Sequence, residues 1–391
     1  MPTRPCRVEI RTRSLENNYR YLACLAGSAA ELLAIVKADA YGHSLALCAP
    51  AAVRAGARWL GVTSVEEGVA ARALCPEPEI LVIGGVFPGQ GAAVVEHRLT
   101  TVVWDPWQLD ELEAVARKAG APPGSLPVHL EIDTGMSRQG IGPDGFAAIL
   151  SRFSTGSPLS LQGVMTHLFA ADESDGRVTA EQLERLDAAL QRIESAGLHA
   201  EWLNVGNSAA LLAGVTPQIS ALATRHGMKA LIRPGLALYG LAPEFEPEEP
   251  APVAAARAHL QPVLSWKTAV VSLRDIPAGA VVGYNGTFVA TEPMHLALIA
   301  CGYGDGLGRS LGNRFSLLVR GQRAPLVGRV SMDQAVLDVT GIAAVEVGDE
   351  VVIVGSQLGE TMSAFDLAGA TGTVPWEIFT RITSRAERVE V

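Results

Sequence analysis

The sequence predicts an α/β fold in which a (β/α)8 barrel of the TIM type precedes a smaller, mostly β C-terminal domain. Over the first 240 residues, short apolar runs alternate with helical stretches rich in alanine and leucine, and eight such runs can be counted. Polar residues recur where each run ends. Beyond residue 250 the pattern changes to short apolar runs punctuated by glycine, which is typical of an all-β domain.

The barrel strands are predicted where the apolar runs are continuous, because parallel barrel strands are buried on both faces. Helices such as 107–119 and 179–196, the latter beginning at Thr179, are predicted between them. A doubly wound sheet is the alternative architecture, but the strand count and the polar strand ends favour the barrel. The predicted strands are residues 32–39, 59–64, 79–85, 100–105, 128–134, 161–168, 202–206 and 231–234.

The boundary between the domains is predicted at a stretch rich in proline and glutamate, Ala242 to Pro250. We therefore assign residues 1–243 to the barrel and residues 244–391 to the β domain. The apolar runs of the β domain predict strands near residues 266–273, 295–300, 315–319, 335–339 and 350–354.

Composition excludes several classes of protein. Apolar residues make up 48% of the 391 positions, so a folded chain is expected, and no apolar run reaches the length of a membrane span. The net charge of −10 disfavours nucleic acid as a partner. The five cysteines are scattered and no Cys/His cluster is visible, which predicts free thiols in a reducing cytoplasm and no metal site. The first nine residues lack the apolar core of a secretory signal.

Lys37 is the most informative residue, because it ends an apolar, β-branched run and is expected at the carboxyl mouth of a buried strand. Burial lowers the pKa of an amine, and a neutral amine can form a Schiff base with an aldehyde. Tyr41 supplies a phenol four residues later, and Gly42 permits a tight turn. This combination suits a lysine that carries pyridoxal phosphate. The alternative is a strand-end lysine that reaches solvent.

The segment around Lys37 resembles the cofactor-attachment segment of the alanine racemase family, and seven further segments follow in the family's order. The resemblance extends from about residue 8 to about residue 380. The eight segments are Ala34–His43, His129–Gly140, Thr166–Asp172, Asn207–Ala210, Arg233–Gly240, Gly283–Gly286, Gly302–Gly306 and Gly328–Gln334.

The resemblance implies a role for each matching residue. Lys37 is the cofactor lysine and the base that acts on D-alanine, and Tyr284 is the base that acts on L-alanine. His167 and Arg233 are the neighbours expected to lower the pKa of the Tyr284 phenol, and Arg233 also faces the pyridine nitrogen. Phosphate contacts are implied for Tyr41, Ser208, Gly235 and Leu236. Taken alone, Tyr284 also fits a hairpin turn and Ser208 an ordinary helix cap.

The resemblance also implies how the substrate is held and how the chain assembles. Arg138, together with Met332 and the adjacent Asp333, is expected at the substrate carboxylate. Tyr284 and Met332 are expected to reach the partner subunit's site, so the functional unit is a homodimer. Residues 1–10 are expected to pair with the C-terminal domain. Tyr303, Arg309, Arg329 and Asp172 match the family's substrate-access corridor, with surface ion pairs as the alternative.

Two positions depart from the family's usual pattern. Glu131 stands where many members have a carbamylated lysine, and its carboxylate is expected to act on Arg138 without CO2. The alternative is that Glu131 faces another partner. Trp376 stands where the family usually has a tyrosine that touches the phosphate and lines the substrate pocket. Because the Trp376 ring is larger, the sequence leaves the substrate range open. The pocket could accept alanine alone, or serine and a broader range of amino acids.

Two rival activities are disfavoured by particular residues. Decarboxylases that share this barrel place a glutamate where Arg233 lies, so Arg233 points away from decarboxylation. Non-catalytic proteins that bind pyridoxal phosphate on the same barrel are single-domain, and the β domain with Tyr284 argues against them.

Overall fold

The computed structural model describes residues 4–391, which divide into two compact units. One unit is the barrel and comprises residues 13–40 and 48–261. The other is mostly β and comprises residues 4–12, 41–47 and 262–391. Within residues 4–391, no helix combines the length and the apolar character that a bilayer crossing requires.

Eight parallel strands close into a barrel, as the sequence predicts. The last strand pairs with the first, with Ala230 opposite Ala30 and Ile232 opposite Leu32. Each strand ends two to four residues earlier than predicted. Strand β1 is Arg7–Ile10, and the barrel strands are β2 Ala30–Ile35, β3 Trp59–Val62, β4 Glu79–Val82, β5 Thr100–Val103, β6 Leu126–Glu131, β7 Leu159–Met165, β8 Trp202–Asn204 and β9 Lys229–Ile232.

The helices between these strands begin at recognisable caps. Asp105 accepts a hydrogen bond from the Trp107 N–H, and the Gln108 side chain accepts one from the Asp105 N–H, so this helix begins at Pro106. The helix predicted from Thr179 begins two residues earlier. The helices up to residue 259 are Thr12–Ala26, Leu45–Arg54, Val65–Leu74, Gly91–Glu96, Pro106–Lys118, Phe146–Leu150, Arg177–Ser195, Ser208–Leu212, Thr216–Arg225 and Ala251–His259.

A polar pair is buried inside the barrel, where most neighbours are apolar. The Asn204 amide donates to Nδ1 of His129 over 3.3 Å, and both residues are fully buried. Burial lowers the pKa of His129 to about 3, so the ring is neutral and can accept this bond. Position 163 must be glycine, because a Cβ there would lie 2.5 Å from the His129 ring.

The predicted boundary at residues 243 and 244 differs from the division in the structure, where the barrel unit continues to Gln261. The helix Ala251–His259 belongs to the barrel unit. Its Arg257 donates hydrogen bonds to the carbonyls of Ala242 (3.3 Å) and Pro243 (3.1 Å). These contacts tie the start of the Pro- and Glu-rich stretch to the helix Ala251–His259, and both belong to the barrel unit.

The β unit contains a nine-stranded sheet and a separate two-stranded hairpin. Its longest strand, β10, pairs with β1, β13 and β17, and β1 also pairs with β19. The N-terminal residues therefore supply a strand to this unit. The strands are β10 Leu264–Ile276, β11 Val281–Val282, β12 Phe288–Val289, β13 Met294–Ile299, β14 Ser316–Val319, β15 Gln322–Pro325, β16 Ala335–Asp338, β17 Glu350–Gln357, β18 Glu360–Met362 and β19 Glu387–Glu390; the helices are Ala364–Thr371 and Pro375–Arg381.

Candidate active site

Lys37 lies just beyond β2, at the carboxyl edge of the barrel. The backbone N–H of Ile35 donates to the Pro234 carbonyl over 3.2 Å, and that of Val36 donates to the Gly61 carbonyl over 2.8 Å. These bonds tie the end of β2 to the chain on both sides of it. The barrel therefore fixes the backbone position of Lys37.

The backbone after Lys37 forms a left-handed turn instead of the predicted continuation of the strand. Ala38 to Tyr41 have φ values between 51 and 55°. This conformation costs L-residues roughly 1–2 kcal/mol each, and such strain is concentrated at functional sites. A carboxylate oxygen of Glu67 accepts a hydrogen bond from the Ala38 N–H over 2.7 Å and helps to hold the turn.

The environment of Lys37 favours a neutral amine. Burial lowers its pKa, and the positive charges of Arg138 and Arg233 lower it further. Glu67 acts in the opposite direction with a smaller effect. The amine is therefore a better nucleophile near neutral pH than an exposed lysine would be.

Arg233 is buried at the end of β9 and makes four hydrogen bonds with protein acceptors. Its Nη1 donates to the backbone carbonyl of Asn204 over 2.7 Å and to the Asn204 side-chain oxygen. Its Nη2 donates to the carbonyl of Thr166 over 2.9 Å and to Nδ1 of His167 over 3.1 Å. The guanidinium is thus held rigidly by the ends of β7 and β8.

One donor of Arg233 remains available within the part of the chain that the structure describes. The four bonds occupy the terminal nitrogens, and the Nε–H has no acceptor among residues 4–391. Burial lowers the pKa of Arg233 to about 10, so the group still carries its proton at neutral pH. It can donate a hydrogen bond to a ligand without giving up that proton.

His167 is held in its neutral form beside this cation. Burial lowers its pKa to about 3, and the charges of Arg233, Arg138 and Lys37 act in the same direction. Because Arg233 donates to Nδ1, the ring proton must be on Nε2.

Ser208 organises a group of backbone donors near the ends of β8 and β9. Its Oγ accepts hydrogen bonds from the N–H groups of Gly235 (3.0 Å) and Ala237 (3.1 Å). Asn207 caps the following helix by accepting from the Ala210 N–H. A hydroxyl and converging N–H groups are the donors that a phosphate requires. Here both N–H groups are bound by Ser208 Oγ, so they would serve an anionic group only if it took the place of the hydroxyl oxygen. Leu236 lies between the two donors in sequence, and Ser208 does not bind its N–H.

Arg138 is exposed, on a loop that follows β6. A carboxylate oxygen of Asp133 accepts from the N–H groups of Gly135 (2.9 Å) and Ser137 (3.1 Å), which shapes the loop. Gly140 completes it, because a Cβ there would lie 2.6 Å from the Asp133 nitrogen. Within residues 4–391, the Arg138 guanidinium has no carboxylate partner within 4.0 Å. It is therefore free to bind an anion.

Glu131 is buried at the end of β6 but does not form the expected contact with Arg138. Its Oε2 accepts a hydrogen bond from the side chain of Gln139, which also donates to the Ile83 carbonyl over 3.2 Å. Burial raises the pKa of Glu131, although Gln139, Arg233 and Arg138 partly oppose this shift. The shorter glutamate side chain is thus satisfied by a neighbouring amide, which is the alternative that the sequence left open.

The remaining site residues belong to the β unit, where several are exposed. Tyr284, in a turn between β11 and β12, is 68% exposed, and Met332 is 53% exposed. Trp376, in the helix Pro375–Arg381, is 41% exposed. Asp333 does not present a free carboxylate, because it pairs with Arg385 over 2.6 Å. Its predicted substrate contact would require that ion pair to open.

Tyr41 occupies the last position of the left-handed turn. Burial raises the pKa of its phenol to about 12, so the hydroxyl remains protonated and can donate a hydrogen bond.

Three residues with clear structural roles were missed by the sequence analysis. Asn204 and Thr166 hold Arg233, and Gln139 binds Glu131. Asn204 and Thr166 do share one signal with the predicted residues, because each is polar and lies at or just beyond the end of a barrel strand.

Comparison with known proteins agrees with this architecture. Residues 10–243 match the alanine racemase N-terminal domain, and residues 263–390 match its C-terminal domain. An alanine racemase from Sorangium cellulosum is 36% identical, with 98% of each chain covered. The crystal structure of alanine racemase from Streptomyces lavendulae superposes with a TM-score of 0.87 at 32% identity, covering 100% of this chain and 98% of that one.

The barrel, its strand-end lysine and the following β unit define a fold-type shared by pyridoxal-phosphate-dependent racemases. The chain belongs to the alanine racemase family. A further member, alanine racemase from Bartonella henselae, is 26% identical with a TM-score of 0.82, covers 99% of both chains, and contains covalently bound pyridoxal phosphate.

Proposed function

We propose that this chain is an alanine racemase that interconverts L-alanine and D-alanine with pyridoxal phosphate as cofactor. The observation that carries the proposal is the pairing of two groups at one edge of the barrel. Lys37 is a half-buried amine with a lowered pKa, and Arg233 is a buried cation with one N–H left for a ligand. Both suit this cofactor, through its aldehyde and its pyridine nitrogen.

The residues present fit the cofactor. When bound, pyridoxal phosphate supplies an electron sink that stabilises charge at the substrate Cα. Lys37 would hold it covalently, and Ser208 with the N–H groups of Gly235 and Leu236 would hold its phosphate. Tyr41 contributes a protonated phenol to the same group, and the indole N–H of Trp376 is a further donor.

Arg233 limits the chemistry to proton transfer. A guanidinium that remains protonated at neutral pH donates a hydrogen bond to the ring nitrogen but does not protonate it. This restrains charge delocalisation into the ring and disfavours competing reactions such as transamination and decarboxylation.

Two bases on opposite faces of Cα are required to invert its configuration. Lys37 is the base for D-alanine, and its lowered pKa leaves a lone pair available near neutral pH. Tyr284 is the base for L-alanine. His167 is neutral and its Nε2 carries a proton, so it acts as a hydrogen-bond donor and not as a second cation.

The substrate carboxylate is assigned to Arg138, opposite the Met332 N–H and beside Asp333. Arg138 has no carboxylate partner within 4.0 Å among residues 4–391, which supports this role. A solved alanine racemase from Bacillus anthracis, 29% identical with a TM-score of 0.86, has bound L-Ala-P. Glu131 is held by Gln139, so its carboxylate acts on Arg138 only at a distance, and this version of the site needs no CO2.

We also propose a homodimer in which Tyr284 and Met332 complete the site of the partner. The hairpin that carries Tyr284 supports this, because Val281 and Val289 on its two strands are 63% and 51% exposed. Apolar side chains that flank a functional residue on an exposed hairpin are typical of a surface that another chain covers.

We place the enzyme in a bacterial-type cytoplasm, where its D-alanine would supply peptidoglycan synthesis. None of the five cysteines, all of which lie within residues 4–391, forms a disulfide, which fits a reducing compartment.

The alternative is a serine or broad-spectrum racemase of the same family, because Trp376 replaces a smaller ring at the pocket. Measuring kcat/KM for alanine, serine and larger amino acids with purified, cofactor-loaded protein separates the two. We expect alanine to be preferred at least about tenfold over serine, since the larger indole leaves less room. A preference for serine would support the alternative, and the absence of any racemisation would refute both.

A further inference from the structure

Two buried thiols meet in the β unit, outside the residues assigned to catalysis. Cys6 precedes β1 and Cys301 follows β13, and both sulfur atoms and a carboxylate oxygen of Asp305 lie within 4.8 Å of one another. Cys6 is 1% exposed, and Cys301 and Asp305 are fully buried. Both cysteines are brought together by β10, which pairs with β1 and with β13.

The hydrogen bonds distinguish the two sulfur atoms. Cys6 is an acceptor, because the indole N–H of Trp266 donates to its Sγ over 3.4 Å and the Cys301 thiol donates to it as well. The Cys301 hydrogen bond lowers the pKa of Cys6, helped by the Trp266 bond and the charge of Arg4, while burial and the negative charge of Asp305 oppose the shift. Burial and the bond to Cys6 raise the pKa of Cys301 well above its usual range. The pair thus consists of a sulfur that accepts two hydrogen bonds and a neighbouring thiol that stays protonated.

A metal centre is the other chemistry that two sulfurs and a carboxylate could support. The carboxylate is already committed, however. Asp305 forms ion pairs with Arg4 and Arg385, and its Oδ2 accepts from the Gly302 N–H over 2.9 Å. Binding a cation would require these cations to be displaced from a buried carboxylate, whereas joining the two sulfur atoms leaves Asp305 unchanged.

We propose that Cys6 and Cys301 form a redox-active dithiol that closes to a disulfide when it meets a small peroxide. The Cys6 thiolate attacks one oxygen of hydrogen peroxide, which gives a sulfenic acid on Cys6 and releases hydroxide. The Cys301 thiol then loses its proton, and its sulfur displaces hydroxide from the Cys6 sulfur. In total, two thiols and one peroxide become one disulfide and two waters.

The proximity of the two sulfur atoms favours this closure. They lie within 4.8 Å of one another, and closure must bring them to about 2.05 Å. Both sulfurs are buried, so the oxidant that reaches them must be small. The disulfide would join β1 to the loop 302–306. That loop donates hydrogen bonds from Tyr303 and Gly304 to the carbonyls of Ser331 and Met332.

The test exposes the cofactor-loaded enzyme to hydrogen peroxide, followed by denaturation, alkylation of the remaining thiols and peptide mapping. We expect a peptide pair that links Cys6 to Cys301 and is lighter by two hydrogens than the reduced pair. A dithiol reductant should reverse it. The fluorescence of Trp266 should change in parallel, because its indole contacts the reacting sulfur.

Two variants provide a matched comparison. Cys75 is also buried, and burial raises the pKa of its thiol, so Cys75→Ser should still form the linked pair. Cys6→Ser should form none and should lose the fluorescence change. If Cys6→Ser does not fold, the peptide map of the unmutated enzyme alone shows whether Cys6 and Cys301 become linked.

Three results would overturn the proposal. In the first, Cys6 and Cys301 are both recovered as alkylated thiols at a peroxide dose that oxidises the exposed Cys24. In the second, either residue is linked to a different cysteine. In the third, Zn²⁺ alone binds the reduced pair tightly and protects it from peroxide, which would identify a metal centre.

Discussion

Arg233 donates a hydrogen bond from Nη2 to Nδ1 of His167 over 3.1 Å, at the carboxyl edge of the barrel. Burial and the neighbouring cations lower the pKa of His167 to about 3, so the proton of its neutral ring is confined to Nε2. The hydrogen bond and the lowered pKa together show that Arg233 is charged and His167 is not. Arg233 is the cation at this point of the site, and His167 is a neutral donor.

The first prediction concerns the protonation of His167. We expect its ring to show no titration between about pH 5.5 and 8, because its pKa lies well below the usual range. Nitrogen chemical shifts of the labelled histidines measure this directly. His226 is the control. Burial lowers its pKa, but bonds to Asp187 and Glu194 outweigh burial and raise it, so His226 should titrate above its usual value. Titration of His167 within that window would contradict the assigned network.

The second prediction concerns Lys37. Lys37→Ala should abolish the absorption of the lysine-bound cofactor near the visible edge and most activity in both directions. The physical reason is that this half-buried, strand-end amine is assigned both the covalent bond and one of the two bases. Lys229→Ala is a suitable control, since Lys229 is exposed and pairs with Glu201. If borohydride reduction attaches the cofactor to a lysine other than Lys37, the assignment of Lys37 as the cofactor lysine is wrong.

The third prediction concerns Tyr284 and the proposed dimer. Tyr284→Phe should retain the cofactor but slow exchange of the α-proton of L-alanine by at least about 10²-fold, the usual scale for losing a positioned base. Mixing Lys37→Ala and Tyr284→Phe subunits should restore part of the activity, because one site of the heterodimer then holds both bases. Verified heterodimers that stay inactive would show that both residues act within one chain.

The fourth prediction concerns the stability contributed by Glu131. Because burial raises its pKa in the folded protein, the unfolded chain binds fewer protons than the folded protein once pH exceeds 4.5. This carboxyl therefore costs stability as pH rises through the folded pKa. Glu131→Gln keeps the shape and removes that cost, so urea unfolding at neutral pH should show a more stable variant, with the difference shrinking as pH falls through the folded pKa towards 4.5 and levelling off below it.

The same substitution should affect catalysis in the opposite direction. Loss of a negative charge that acts on Arg138 without contacting it should raise KM for alanine by roughly 3- to 10-fold, at or below the scale of one charge-assisted contact. The spectrum of the bound cofactor should not change, and added bicarbonate should have no effect on the parent enzyme. Glu181→Gln, at a surface ion pair with Arg177, is the control for both measurements. A KM within about twofold of the parent would make Glu131 purely structural.

The eight barrel strands could be predicted from the sequence because buried parallel strands leave continuous apolar runs. Their ends could not. The first barrel strand was predicted over residues 32–39, yet β2 ends at Ile35 and the chain enters a left-handed turn after Lys37. The residues in that turn have no intrinsic preference for this conformation, so it depends on tertiary contacts such as that between Glu67 and Ala38.

Site residues were predictable from the sequence where a family motif contains them, as for Lys37 and Arg233. Their mutual contacts were not. The bonds from Arg233 to Thr166, His167 and Asn204 join residues that are 29 to 67 positions apart. Glu131 shows the same limit. Its position in the family pattern suggested a contact with Arg138 and left another partner open, and the sequence did not indicate that Gln139, eight residues on, is the group that binds it.

The most direct test of the account is the incubation of cofactor-loaded enzyme with L-alanine in deuterated water, followed by chiral separation and mass analysis. A racemase with one base on each face of Cα should produce D-alanine that carries solvent deuterium at Cα, until the two enantiomers are equal. Formation of pyruvate or of ethylamine instead of D-alanine, or D-alanine without solvent deuterium, would contradict it.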